Sequence, residues 1–74
     1  MTLEESAKLV YMAASVFPAK QDTDLKLTAK AWMMILSDIP YKIAEAALIK
    51  VLSTAKFFPV PADIREAAIS FISG

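Results

Sequence analysis

Residues 53–65 read Ser53-Thr54-Ala55-Lys56-Phe57-Phe58-Pro59-Val60-Pro61-Ala62-Asp63-Ile64-Arg65, and this stretch decides how the chain is organised. A residue before a proline is pushed out of helical geometry, so Phe58 and Val60 are expected to be extended. Pro61 suits the first turn of a helix, where the amide hydrogen it lacks would have no partner. Asp63 then sets a carboxylate near the positive end of that helix, a gain of about 0.3–1 kcal/mol. The stretch therefore ends one helix, turns a corner and starts the next. Phe57 and Phe58 are bulky and apolar at a turn, so at least one ring is expected to be buried, pinning the corner against the helices before it. Nothing in the stretch is chemically reactive, and on its own it is a well-made helix–helix corner.

Working outward, the remaining sequence also reads as helices. Thr2-Leu3-Glu4-Glu5 fits a capping box, with Thr2 as N-cap and Glu5 reaching back to it. Leu3, Ala7, Val10, Ala14 and Phe17 then recur at steps of four and three, an apolar stripe that Tyr11 and Met12 widen. Pro18 stops this helix, and residues 18–23 are polar and form a loop. Asp22 or Thr23 is expected to cap the second helix, whose inner face is Leu25, Ala29, Trp32 and Leu36, flanked by Ile35. The run from Ala31 to Leu36 is apolar on every side, which places this helix at the centre of its bundle or under a partner. Asp38-Ile39-Pro40 is a break in which Asp38 can cap the third helix, with Pro40 in its first turn. Its stripe is Ile43, Ala47 and Val51, with Ala44, Leu48 and Leu52 beside it, while Lys42, Glu45 and Lys50 point outward. In the last helix Ile64, Ala67, Ala68 and Phe71 face inward, and Ile69 and Ile72 lie to one side.

The expected fold is thus all-α: a compact bundle of four short helices at about 2–17, 24–37, 40–54 and 61–72. Short connections are expected to set successive helices beside each other. The expected core is Phe17, Trp32, Leu36, Leu48, Phe58, Ile64 and Phe71. The 74 residues make one domain, 1–74, and a chain so short has a thin core. Its single glycine is the last residue, which leaves little room for the tight left-handed turns of β-hairpins.

Composition excludes most chemistry. There is no histidine and no cysteine, so the usual general bases, nucleophile pairs and zinc ligands are missing. No catalytic residue, metal site or cofactor is expected. Asp22-Thr23-Asp24 is too short for a calcium loop and is better explained by helix capping. With no internal glycine there is no phosphate-cradling loop. The N-terminus lacks the order of a signal peptide, and no apolar run reaches the roughly 18 residues that span a bilayer. A soluble intracellular protein with no membrane contact is the default.

What remains is surface. Met33, Met34, Phe57, Ile69 and Ile72 are candidates for a partner surface. The methionines are adaptable side chains, although ordinary core filling explains Met33 and Met34 as well. A homodimer through Met33, Met34, Ile69 and Ile72 is one form such a contact could take. Direct nucleic-acid binding is weak or absent on net charge, since eight basic and eight acidic residues balance. The alternative is a DNA contact through Lys26, Lys30, Lys50, Lys56 and Arg65, with Lys20 just before the second helix. Lys26 and Lys30 stand four apart on one helix face.

The order of these features resembles a family of phage replication proteins, the helicase loader/inhibitor proteins of phage and prophage replication cassettes. The matching features are Phe17-Pro18, Trp32 with Leu36, Asp38, Ala46-Ala47-Leu48, and the run from Thr54 through Phe57-Phe58-Pro59 to Pro61-Ala62-Asp63-Ile64-Arg65. They cover about residues 5–70, and the corner is the most specific part. The resemblance implies a small helical N-terminal domain that binds a hexameric, DnaB-type replicative helicase. It implies that the ring is held inactive until an origin-bound replication initiator receives it, in the cytoplasm of the bacterial host. On this reading the protein is an adaptor and not an enzyme. Two departures are visible. Many relatives have a hydroxyl-bearing cap where this chain has Val60. The family also carries a polar, flexible C-terminal tail implicated in gripping the helicase, whereas this sequence ends at Gly74. The expectation is either that residues 1–74 are the folded N-terminal domain of a longer protein, or that this form works differently.

Overall fold

A computed structural model describes residues 1–17 and 24–73. They form four α-helices: α1 (Leu3–Val16), α2 (Leu25–Ile35), α3 (Tyr41–Thr54) and α4 (Pro61–Ser73). No strand occurs among the described residues. The all-α fold expected from the sequence is the fold observed. No described residue has a positive φ, so the turns are made by extended residues and prolines. Phe17 and Ala55, which close α1 and α3, are both extended.

The helix ends follow local chemistry. At α1 the Thr2 hydroxyl accepts the Glu5 amide (3.2 Å) while the Glu5 carboxylate accepts the Thr2 amide (2.9 Å), the reciprocal pair of a capping box. At α2 the cap is Asp24, which corrects the expectation of Asp22 or Thr23; those two, Pro18 and the 18–23 loop lie outside the described residues. The Asp24 carboxylate accepts the amides of Lys26 (3.0 Å) and Leu27 (3.1 Å). α2 stops at Ile35, before the expected 37, because Pro40 disfavours helical geometry at Ile39. The chain turns through 36–38, and Ile39, read from sequence as part of a break, inserts into the core. Asp38 does not cap α3, contrary to the expectation from sequence. The N-cap is Pro40, with no side-chain bond, and its carbonyl accepts the amides of Ile43 and Ala44 at 3.0 Å each.

The helices form two pairs, α1 with α2 and α3 with α4. The pairs are joined by α1 on α3 and, less extensively, by α2 on α4. α2 and α3, although consecutive, do not pack on each other, which corrects the expectation that successive helices are neighbours. The connection from 36 to 40 hands the chain from one pair to the other. Measured on Cα atoms the molecule extends 38 × 26 × 15 Å. Its shortest dimension is about two helices thick, given interaxial spacings of about 8–10 Å, so every helix keeps a solvent face.

The core sits between the pairs: Leu9, Val10 and Ala13 of α1, Ala29 and Trp32 of α2, Leu36 and Ile39, Ala44, Ala47 and Leu48 of α3, and Ile64 and Ala68 of α4. Two expectations are corrected here. α2 is not the centre, since more of α1 and of α3 is fully enclosed. The buried face of α1 is also rotated from the expected stripe and runs through Ser6, Leu9, Val10 and Ala13. Leu3 and Tyr11 are exposed, and Ala7, Ala14 and Phe17 are only half-buried. The cause is Ser6, whose hydroxyl donates to the Ala29 carbonyl across the α1/α2 contact at 2.6 Å. That bond satisfies a polar group where a pattern reading expects none. Phe71, expected in the core, is 48% exposed. A two-layer slab has no third wall to cover the end of α4.

Candidate interaction surface

Each helix cap fixes which side chains share a surface. Because Asp24 starts α2, Leu27 and the pair Lys26 and Lys30 come out on the flank beside α1. Because Thr2 starts α1, Leu3, Ala7 and Tyr11 recur every four residues on the flank beside α2. Between them lies an open groove of about 560 Å³. Its walls are Leu3, Ala7 and Tyr11 on one side and Leu27 and Ala29 on the other. Glu4, Asp24, Lys26 and Lys30 stand at its edge. Leu27 is 64% exposed, and Leu3 and Tyr11 are also exposed. The Ser6–Ala29 bond lies beside this groove and ties the two helices that form it.

The second surface is the corner before α4. The rings of Phe58 and Trp32 lie 6.0 Å apart at 52°, within the separation at which aromatic pairs attract. Pro59 is buried and Phe58 is half-buried on the core. One ring of the pair Phe57-Phe58 is therefore packed, and the other, Phe57, is 80% exposed. One turn into α4, Arg65 reaches back over the α2–α3 connection. Its Nη1 donates to the Ile35 carbonyl at 3.1 Å, and Nη1 and Nη2 grip the two Asp38 carboxylate oxygens, Nη2 at 2.8 Å. This two-pronged arrangement suits a planar guanidinium. The hydrogen bond from Arg65 holds the Asp38 carboxyl down at about 2, helped by a local backbone hydrogen bond, and Arg65 is raised in turn. The Asp38 side chain is 61% exposed, so solvent screens the pair.

On the third surface Lys50 Nζ sits 5.2 Å from the centre of the Phe71 ring, a cation–π distance. Lys50 also shares a recess of about 300 Å³ with Asp63, Glu66, Ala67 and Ser70. On the same helix as Lys50, the Tyr41 hydroxyl donates to Glu45 at 3.0 Å. Burial, and then that hydrogen bond, push the Tyr41 hydroxyl's pKa up.

The residues singled out from sequence fall into separate places. Trp32, Leu36, Leu48 and Ile64 are buried, Phe58 packs on the core, and Phe17 is half-buried at the end of α1. Of the partner-surface candidates, Met33 is half-buried, while Met34 is 73% exposed and Ile69 and Ile72 are exposed. The structure does not gather the basic residues into one face. Lys26 and Lys30 edge the groove, Lys50 covers Phe71, Arg65 is engaged by Asp38, and Lys56 is exposed at the corner. Lys20 lies outside the described residues. The groove itself escaped sequence reading, because Leu3, Ala7 and Tyr11 were assigned to the core stripe. Its only legible signal was Leu27, an apolar residue between two lysines.

The chain matches the protein family described as the gp39P N-terminal domain, over residues 1–65. No curated protein and no solved structure matches it. The matched span holds α1, α2 and α3 entire, the aromatic corner, and both ends of the Asp38–Arg65 bridge.

Proposed function

This chain belongs to the gp39P family of phage helicase loader/inhibitor proteins, and from that membership we propose that it binds a hexameric DnaB-type replicative helicase and holds the ring inactive. An origin-bound initiator then receives the helicase from it, so that the ring is loaded at the right place. The protein works in the cytoplasm of the bacterial host as an adaptor, and the chemistry belongs to its partner. The family match over residues 1–65 is the observation that carries this reading. The surface is of the kind an adaptor needs, since Phe57, Met34 and Leu27 are large apolar side chains displayed on helices or on a corner packed against the core. No helix among the described residues is long and apolar enough to cross a membrane.

The test is to mix the 74-residue chain with the host's replicative helicase, then measure co-elution by size exclusion and ATP hydrolysis by the ring. Co-elution with slowed hydrolysis is expected. A ring that elutes alone and hydrolyses ATP at its unassisted rate would remove the reading. A chain that instead retains DNA, with an affinity falling steeply with salt, would replace it.

A further inference from the structure

The groove between α1 and α2 has features that specify an occupant. Its walls carry three large apolar side chains open to solvent, Leu3, Tyr11 and Leu27. Its two helices are tied by the Ser6–Ala29 bond, so the shape exists before anything binds. No buried side-chain polar atom among the described residues lacks a partner. The groove therefore offers no inward-pointing polar group of the kind that orients a small molecule. Its charges stand at the edge and are unequal. Asp24 already spends its carboxylate on the Lys26 and Leu27 amides, and Glu4 sits in the first turn of α1, at that helix's positive end. Lys26 and Lys30, four apart and exposed, leave the α2 bank positive.

We propose that this groove receives an acidic amphipathic helix of the partner protein. The helix lays an apolar ridge on Leu3, Tyr11 and Leu27 and sets its carboxylates against Lys26 and Lys30. This is the helix-in-groove mode of recognition, and it rests on the reading of the chain as a helicase adaptor, narrowing that contact to one surface. Duplex DNA fits less well, because a phosphate backbone would cover the apolar walls without replacing their lost contact with water.

The probe is a fluorescein-labelled model helix of roughly five turns, leucine on one face and glutamate on its flanks, titrated with the full 74-residue chain. A lysine-flanked version and a duplex DNA oligonucleotide serve as comparisons. The variants are Leu27→Asp and the double change Lys26→Glu with Lys30→Glu. All three positions are exposed, and circular dichroism checks that both proteins stay helical. The acidic peptide should bind the wild-type chain and lose about tenfold or more with Leu27→Asp, as an interface anchor does. The double change should weaken the acidic peptide and favour the lysine-flanked one. An acidic peptide that does not bind, or binds equally to Leu27→Asp, overturns the proposal. So does a tighter, Lys26- and Lys30-dependent hold on the duplex, or a dimer in sedimentation velocity that Leu27→Asp dissolves, which would make a second copy the occupant. The same variants are run against the helicase ring. If the ring binds wild type and variants equally, the groove is not the contact and the adaptor reading stands. If it binds none of them, the adaptor reading fails while the peptide titration still decides what the groove takes.

Discussion

Trp32 and Met34 are two residues apart on one helix, yet Trp32 is 2% exposed and Met34 is 73% exposed. The difference is rotational, and it sets what each mutation costs. Trp32→Ala removes a buried ring that packs on Phe58, a loss of about 3–5 kcal/mol. A core this small supplies roughly 3–5 kcal/mol in all, so the variant is expected to be largely unfolded in a thermal melt followed by circular dichroism. Phe71→Ala should cost less than about half as much, because that ring is half open to solvent and leaves no closed cavity. Asp38 offers a pH test. Its carboxyl is held down to about 2 from an ordinary 3.8 by the Arg65 hydrogen bond. The stabilisation is therefore present above about 3.8 and is lost as pH falls through about 2. The melting-temperature gap between wild type and Asp38→Asn should be small at neutral pH, shrink with added salt, and close over that window. At this scale the sequence was half legible. Trp32 and Leu36 are bulky on a clean face, whereas Ser6 hid the buried face of α1 and nothing local distinguished Phe71 from a core ring.

Among the elements, α1 and α2 are started by side chains whose donors and acceptors can be named, and α3 is not. Thr2→Ala and Asp24→Ala should each cost about 0.5–2 kcal/mol in urea unfolding, with Gly at either position milder. No such change is available at Pro40, whose side chain makes no capping bond. The N-terminus of α1 was readable because a capping box is a sequence signature. Asp38 misled for a physical reason: a carboxylate shortly before a helix is equally suited to an N-cap and to an arginine from elsewhere. Only the approach of α4 decides between them, and that approach is a tertiary fact.

For the molecule as a whole, the corner from Phe57 to Arg65 and the periodicity of four helices were enough to indicate the all-α fold. Periodicity tells a helix which face to bury but not which helix to bury it against, so the pairing of α1 with α3 and α2 with α4 lay beyond it. That pairing leaves both faces of the slab available, and the α1/α2 groove is one result. It also bears on kinetics. The main partner of α1 is α2, and the main partner of α3 is α4, so most packing joins segments close together along the polypeptide. Low contact order of this sort goes with refolding in microseconds to milliseconds. Dilution from urea should therefore be complete within about milliseconds, and relaxation after a temperature jump is the measurement that resolves it. On the ribosome, α1 has its main partner once Ile35 has emerged, so the first half can begin to assemble while the second is still being made.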